Sequence, residues 1–469
     1  MDTFDAIYRR RAIRDFNPEE KIPEKDMELI LDSARHALQT PDGVLPWRLI
    51  IVNDKESKEL VSACAKEVAQ TMFGASFETF GPGHLWYLPR DVQIRVAEYT
   101  ATGELWQYPR DADVVIVPVL STGGWTDSVV PFTDDVELVS QYLGFASQNM
   151  WLVATSLGIG GGFNAMPFMD IRRRELEQEL FGIPDSWQAL GAFAFGYAKA
   201  PRYYGPTRPP LEGCTHLEYW GNPYIRKAFS NEGYEEITLP RTDLIGCIRN
   251  LNVVNSFKPG AVAWWKIEKI IDAAMWGPVP ENFKQWRFLI IRDSESKALI
   301  QKMIDEKKCC PWSFNYPELQ ISRAYDAPES EKLEKVEEKF TKGYGDWIKG
   351  ADTLIIVFSS FTNWRDQPYP ALGANPNPNR NVSVGCCTQN MMIAATALGL
   401  GFNYDVTAVA DRRTRQMLIE HFGVPGVSWL PQGILALGQP EEKAEAKKIP
   451  PLKNLIYDEV WGNPTSKKL

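Results

Sequence analysis

Apolar positions along this chain of 469 residues fall into one ordered series of patterns that runs through twice. In the first pass a helix is expected to end before Pro18, and KDMELILDSARHAL then carries apolar residues three and four apart, the spacing of a helix with one buried face. WRLIIVND is an apolar run halted by polar residues and predicts a strand, and ADVVIVPVL predicts a buried one. A long apolar helix through Gln148-Asn149-Met150 ends at glycine, and ALGAFAFGY predicts a last strand. In the second pass WKIEKIIDAAMW, WRFLIIRD, ADTLIIVFS, the helix through Gln389-Asn390-Met391 and PQGILALGQ take the same places in the same order.

The two passes stay in register. FASQNMWLVATSLGIGGGFN (145–164) matches CCTQNMMIAATALGLGFNYD (386–405) at an offset of 241 residues. The same offset carries Phe16 to Phe257, Phe181-Gly182-Ile183-Pro184 to Phe422-Gly423-Val424-Pro425, and Trp220-Gly221-Asn222-Pro223 to Trp461-Gly462-Asn463-Pro464. Chance matches would drift, so a constant offset means duplication of a whole domain. The expected units are residues 1–222 and 241–469, joined by a linker over 223–240. Strands and helices mix without regular βαβ alternation, so each unit reads as an α+β sandwich.

Composition narrows the function classes. The chain is 44% hydrophobic and 24% charged with no low-complexity tract, as in soluble globular proteins. A net charge of −9 repels nucleic acid and anionic membranes. No apolar run reaches the roughly 18 residues that a spanning helix needs, and the N-terminus has no apolar segment of a secretory signal. A cytoplasmic location is therefore expected. Seven cysteines without a CxxC spacing, and four histidines, favour neither a disulfide framework nor a metal site. Sixteen tryptophans suit large apolar pockets or broad internal interfaces.

The chemistry is asymmetric between the passes. IYRRRAIRDFNPE (7–19) carries Arg10, Arg11, Ala12 and Arg14, whereas its counterpart IRNLNVVNSFKPG (248–260) has Leu251, Asn252, Val253 and Asn255 there. Fixed guanidinium groups suit a dianionic phosphate; a solvated basic helix face is the alternative reading. Arg208 in GPTRPPLEG corresponds to Ile449, beside Lys448. The reverse asymmetry lies upstream of the WR strand. The second pass has GPVPENFKQWRF with Pro278, Val279, Pro280 and Asn282, while the first has TPDGVLPWRL, without that Asn or Gln.

The arginine motif, the Gln-Asn-Met helix with its following glycines, and the Asn-Gln-Trp segment, met twice in this order, resemble the nitroreductase family of flavoproteins. The resemblance implies an α-β-α sandwich with a mostly antiparallel central sheet, duplicated here so that one chain is its own pseudo-dimer. It implies an FMN site built across the two units. Its arginine motif lies on the first helix, so Arg10, Arg11 and Arg208 fall to the phosphate and Arg14 to the N1/O2 edge of the flavin. Ala12 stands where the family has serine, which removes one hydroxyl contact. The family's partner-subunit segment maps to Pro278, Val279, Pro280 and Asn282, and its backbone donor to flavin N5 to the turn Gly162-Phe163-Asn164-Ala165-Met166.

The losses are complementary, so one composite site per chain and a monomer are expected. The glycine run 160–162 reads either as backbone approach to the flavin ring or as a helix C-cap. The family implies hydride transfer from NAD(P)H to an electron-poor acceptor, with Asn164, Ala165 and Arg14 closest to the chemistry. A flavin-dependent dehydrogenase or oxidase of a biosynthetic intermediate and a flavin store remain alternatives. Aromatic-rich insertions over 72–108 and 307–328, with Tyr87, Trp106 and Trp312, either shape the acceptor pocket or anchor long loops.

Overall fold

The structure is a computed structural model that describes residues 1–39, 45–71, 89–121, 135–200, 208–227, 240–278, 286–307, 345–360, 378–410, 412–426, 428–442, 444 and 449–467. Among these residues no helix is long and apolar enough to cross a membrane.

Each pass forms one six-stranded sheet. In the first, β1 (Trp47–Val52), β2 (Val114–Ser121), β3 (Gly160–Asn164), β4 (Trp187–Ala189) and β5 (Ala192–Gly196) pair with one another in antiparallel fashion. The second repeats this with β8 (Trp286–Ile291), β9 (Thr353–Ser360), β10 (Gly401–Asp405) and the long β11 (Trp429–Pro440). The continuous apolar runs are strands because both faces are covered: Val115 to Val117 and Leu354 to Val357 are fully buried.

The remaining strand of each sheet comes from the other half. β6 (Thr215–Leu217) lies parallel to β8, and β12 (Ile456–Asp458) lies parallel to β1. β7 (Phe257–Lys258) pairs with β11. The exchanged tails are locked by two strained residues, Glu218 and Glu459, both at φ 63°. The Glu218 carboxylate accepts from the backbone N–H groups of Arg292 and Asp293, and that of Glu459 from Asn53 and Asp54. Each carboxylate thus sits at the start of a helix of the opposite half, where the macrodipole favours negative charge. This exchange has no counterpart in the hydrophobic pattern.

Two long helices form the seam. α5 (Asp135–Ser156) packs along α11 (Pro378–Ala397), flanked by α2 (Glu24–Arg35) and α8 (Trp264–Ala274); α1 (Thr3–Arg9), α3 (Lys55–Ala69), α4 (Arg90–Ala101), α6 (Ile171–Leu180), α7 (Leu244–Arg249), α9 (Ser294–Lys307) and α10 (Asp346–Gly350) cover the sheets and complete the flanks. The backbones approach so closely that a Cβ on Gly144 would lie 2.2 Å from the Val382 carbonyl oxygen, and one on Gly385 would lie 2.2 Å from that of Gln141. The Gln-Asn-Met motif serves this seam. Gln148 Nε2 donates to Asn390 Oδ1 at 2.7 Å, and Gln389 Nε2 returns to Asn149 Oδ1 at 2.8 Å. Asn149 and Asn390 then donate to the carbonyls of Ser33 and Ala273, so a buried polar ring joins all four helices.

Candidate functional site

The arginines leave the helix before they act. Asp2 caps α1 by accepting from Phe4 and Asp5, and the helix ends at Arg9 with Arg10 already extended (φ −55°, ψ 129°). The family resemblance places the motif on the first helix; the structure corrects this, because Ile13 N–H bonds to the Gly161 carbonyl at 2.8 Å and draws residues 11–14 alongside β3. The glycine run serves the same junction. A Cβ on Gly162 would meet the Ile13 carbonyl at 2.3 Å, and one on Gly161 would meet the Trp151 ring nitrogen at 2.8 Å. Gly158, at φ 78°, is the residue that ends α5.

Extended backbone carries Arg10, Arg11 and Arg14 inward, so the solvated basic face is also overturned. Arg10 is only 3% exposed. Its Nη2 donates to the Trp276 carbonyl at 3.1 Å and its guanidinium lies 4.6 Å over the Trp151 ring. Arg11 donates to the carbonyls of Tyr8 and Arg10 and sits 5.2 Å over the Trp276 ring. Arg208, on the exchanged tail, lies 5.1 Å over that same ring.

Three cations therefore crowd together, and among the described residues no carboxylate pairs with any of them. Burial, then the nearby Arg208, pull Arg10 down to about 9, with Cys386 opposing. Burial, then Arg11, pull Arg208 down to about 10, and burial alone lowers Arg11. All three stay protonated at neutral pH. Arg10 Nε and Nη1, Arg11 Nε and Arg208 Nε are buried without a hydrogen-bond partner. A buried cation without a counter-charge costs several kcal/mol, so this cluster has the donor set of an anion-binding site.

A second group adjoins it. Arg14 lies 5.7 Å over Trp106, with its Nε buried and unpartnered. Burial raises the Tyr108 phenol, which the neighbouring Arg14 partly offsets. Asn164, fully buried, donates from Nδ2 to the Trp106 carbonyl at 2.7 Å and accepts from Met166 N–H at 3.1 Å. Its side chain thus holds the turn into Met166–Phe168 and fixes Trp106 beneath Arg14. Phe163 packs on Phe193 at 4.6 Å, and Ala165 and Phe163 remain half-buried beside the buried Gly162 and Met166.

The pseudo-symmetric place in the second half is differently filled. Leu251 is part of the core. Asn252 donates to the Leu400 carbonyl, and Asn255 Oδ1 accepts from Asn403. Where Tyr8 bonds Asp272 Oδ2 at 2.7 Å, its counterpart Arg249 bonds Asp32 Oδ2 at 2.6 Å. Arg35 and His36 also face Asp32, and Arg35 reaches the Pro450 carbonyl. Burial raises Asp32, but the hydrogen bonds from His36, Arg249 and Arg35 outweigh it and hold the carboxyl far below the usual range. The cations here are neutralised from within.

Of the residues singled out from sequence, Arg10, Arg11 and Arg208 come together, and Arg14 joins the Asn164 turn. Ala12 bridges to Gly161 beside them. Pro278 follows Trp276 by two residues, its carbonyl accepting from Ser383 on α11. Val279, Pro280 and Asn282 lie outside the described residues, as do Lys448, Tyr87, Trp312, residues 72–88 of the first insertion and 308–328 of the second. Trp106 is described, and it lies against Arg14 and Asn164. Sequence reasoning missed Tyr8, Trp151 and Trp276. The offset held the signal: their counterparts are Arg249, Met392 and, by local alignment of the α2 and α8 ends, His36.

Comparison with known proteins follows the same division. The chain shares 31% identity over 61 residues with Protein DrgA of Synechocystis sp., a match that spans 13% of this chain and 29% of that protein. Among solved structures it is similar to a putative NADH dehydrogenase/NAD(P)H nitroreductase of Parabacteroides distasonis (17% identity, TM-score 0.30, covering 44% of this chain and 93% of that one). It is also similar to nitroreductase A of Vibrio parahaemolyticus (18% identity, TM-score 0.33, covering 45% and 74%). The family model described as Nitroreductase family matches residues 7–197 and again 255–439. Matched in both halves over most of its length, this chain belongs to the nitroreductase family.

Proposed function

We propose that the chain is an FMN-dependent oxidoreductase that takes hydride from NAD(P)H and passes it to an electron-poor, aromatic or quinone-like acceptor at one composite site. The units are taken as residues 1–222 and 241–469, with 223–240 joining them. The observation that carries this reading is the cluster of Arg10, Arg11 and Arg208, three cations with buried, unpartnered nitrogens and no carboxylate among the described residues. Such a cluster matches a phosphate dianion, whose oxygens accept from several guanidinium nitrogens at once.

When bound, FMN supplies the hydride chemistry itself, and the protein's contribution is binding, orientation and electrostatics. Arg10, Arg11 and Arg208 hold the phosphate. Arg14, seated over Trp106, would supply a positive charge to the N1/O2 edge of the flavin. The N5 donor falls to the backbone of Asn164 or Ala165, because Met166 N–H is already taken by Asn164 Oδ1. Gly162 and Phe163 line the approach to that turn, and the family resemblance assigns the second half's share of the site to Pro278, Val279, Pro280 and Asn282, of which Pro278 is among the described residues. Donor and acceptor share the face these residues leave open and use it in turn.

The second place binds no flavin in this reading, since its cations are bound to Asp32. One chain supplies both halves of the site, so a monomer suffices. The test is to load purified protein with FMN, desalt it and count released flavin per chain. One per chain, bleached anaerobically by NADH or NADPH and reoxidised by menadione, is expected. Two per chain would refute the single site, and flavin that neither nicotinamide reduces would favour the dehydrogenase or storage alternatives.

A further inference from the structure

Trp276 touches every cation of the anion cluster. Its carbonyl accepts from Arg10, and its ring lies under both Arg11 and Arg208 at 5.2 and 5.1 Å. We propose that Trp276, from the second half, is the positioning residue that assembles the phosphate grip of the first. This rests on the flavin reading above.

The physical problem is repulsion. Three guanidinium groups with no carboxylate partner among the described residues push one another apart, and two of them are depressed partly by their neighbours. A carboxylate would gather them but would also neutralise them and compete with an incoming anion. The face of an indole attracts cations through its quadrupole and carries no net charge. Arg11 and Arg208 are held together while their full charge remains available to a dianion.

The ring is itself fixed across the seam. Tyr8 meets it edge-on at 5.4 Å and 66°, and the Tyr8 hydroxyl bonds to Asp272, one turn earlier on α8. The exchanged tail brings Arg208 onto it from the first half. At the corresponding place His36 stands on Asp32, and the arginines there are neutralised instead of stacked. The loss of one site and the retention of the other therefore follow this one position as well as the arginines themselves.

The test separates phosphate affinity from ring affinity. Dissociation constants for FMN and for riboflavin, which lacks the phosphate, are measured by quenching of flavin fluorescence in the wild type, Trp276→Leu and Trp276→Phe. In Trp276→Leu the FMN preference over riboflavin is expected to fall about tenfold or more, two stacked cations being worth roughly that factor. Riboflavin binding should stay within about twofold, and Trp276→Phe should keep most of the preference. An unchanged preference in Trp276→Leu, or equal loss for both flavins, would overturn the proposal. A wild type without FMN preference would instead sink the flavin reading beneath it. Tyr8→Phe, which keeps the ring contact and removes the Asp272 bond, should show a smaller loss in the same direction.

Discussion

Gln148 of α5 donates its side-chain amide to Asn390 of α11 at 2.7 Å across the seam between the halves. The reciprocal bond from Gln389 to Asn149 makes the pair nearly symmetric. The surroundings of this ring are not: one side carries free guanidinium nitrogens and the other an ion cluster on Asp32. A symmetric scaffold thus holds two sites of opposite character, and the difference can be tested residue by residue.

Arg10→Ala removes a buried cation whose Nε and Nη1 await a partner. FMN binding is expected to weaken about 10- to 100-fold, the worth of one or two charge-assisted hydrogen bonds. Arg14→Ala should weaken binding or nicotinamide-driven reduction. Asn255→Ala, at the mirrored position, loses only an exposed bond to Asn403 and should change neither. Equal effects of Arg14→Ala and Asn255→Ala in a flavin titration would rule out a single site.

Gly144→Ala places a methyl 2.2 Å from the Val382 carbonyl oxygen, deep in the α5–α11 seam. Backbone cannot yield as a flexible side chain would, so a loss of about 2 kcal/mol or more is expected from the urea unfolding midpoint. Gly385→Ala, with its methyl 2.2 Å from the Gln141 carbonyl, should cost a similar amount. Normal midpoints in both would mean that the helices separate at little cost.

Glu177 is fully buried beside Cys64, and burial raises its carboxyl well above the usual range. Burial, then Glu177, push the Cys64 thiol up to about 12. A raised carboxyl gives stability that is complete at acid pH and is lost as pH climbs from the unfolded toward the folded value, about 1.4 kcal/mol per unit. The second half has the buried Leu418 at this place. Glu177→Leu should therefore match the wild type near pH 4 and exceed it increasingly toward pH 8. Parallel stability curves across that range would contradict the buried acid.

His216 lies on the exchanged strand β6, and burial, then Arg287, lower its imidazole. A lowered histidine gives stability present above its ordinary pKa and lost as pH falls through the folded value. The mirrored residue is Tyr457. Chains carrying His216→Tyr should keep their melting temperature better than wild type between pH 6.5 and pH 5, and an identical drop in both would leave His216 no part in it.

Duplication, element order and the loss of cations from one half were legible in residues alone, because periodicity and charge are local properties of a segment. WRLIIVND and WRFLIIRD appear as β1 and β8, and the Gln-Asn-Met helices as α5 and α11, at the places the pattern predicts. The first arginines do come together with Arg208, but on extended backbone and not on a helix. What decides this is a hydrogen bond from Ile13 to Gly161, nearly 150 residues away, and helical spacing carries no trace of it.

The sequence by itself determined the main core strands and helices, that they form twice, and that only one half keeps the arginine cluster. The tertiary structure decided that the tails cross over, that Arg208 meets Arg10 and Arg11, and that Trp276 lies between them. Those choices depend on contacts between residues hundreds of positions apart, such as Arg35 and Pro450, which are separated by 415. Burying the two sheet edges and the α5–α11 seam selects such contacts, and no pattern within a single segment encodes their partners.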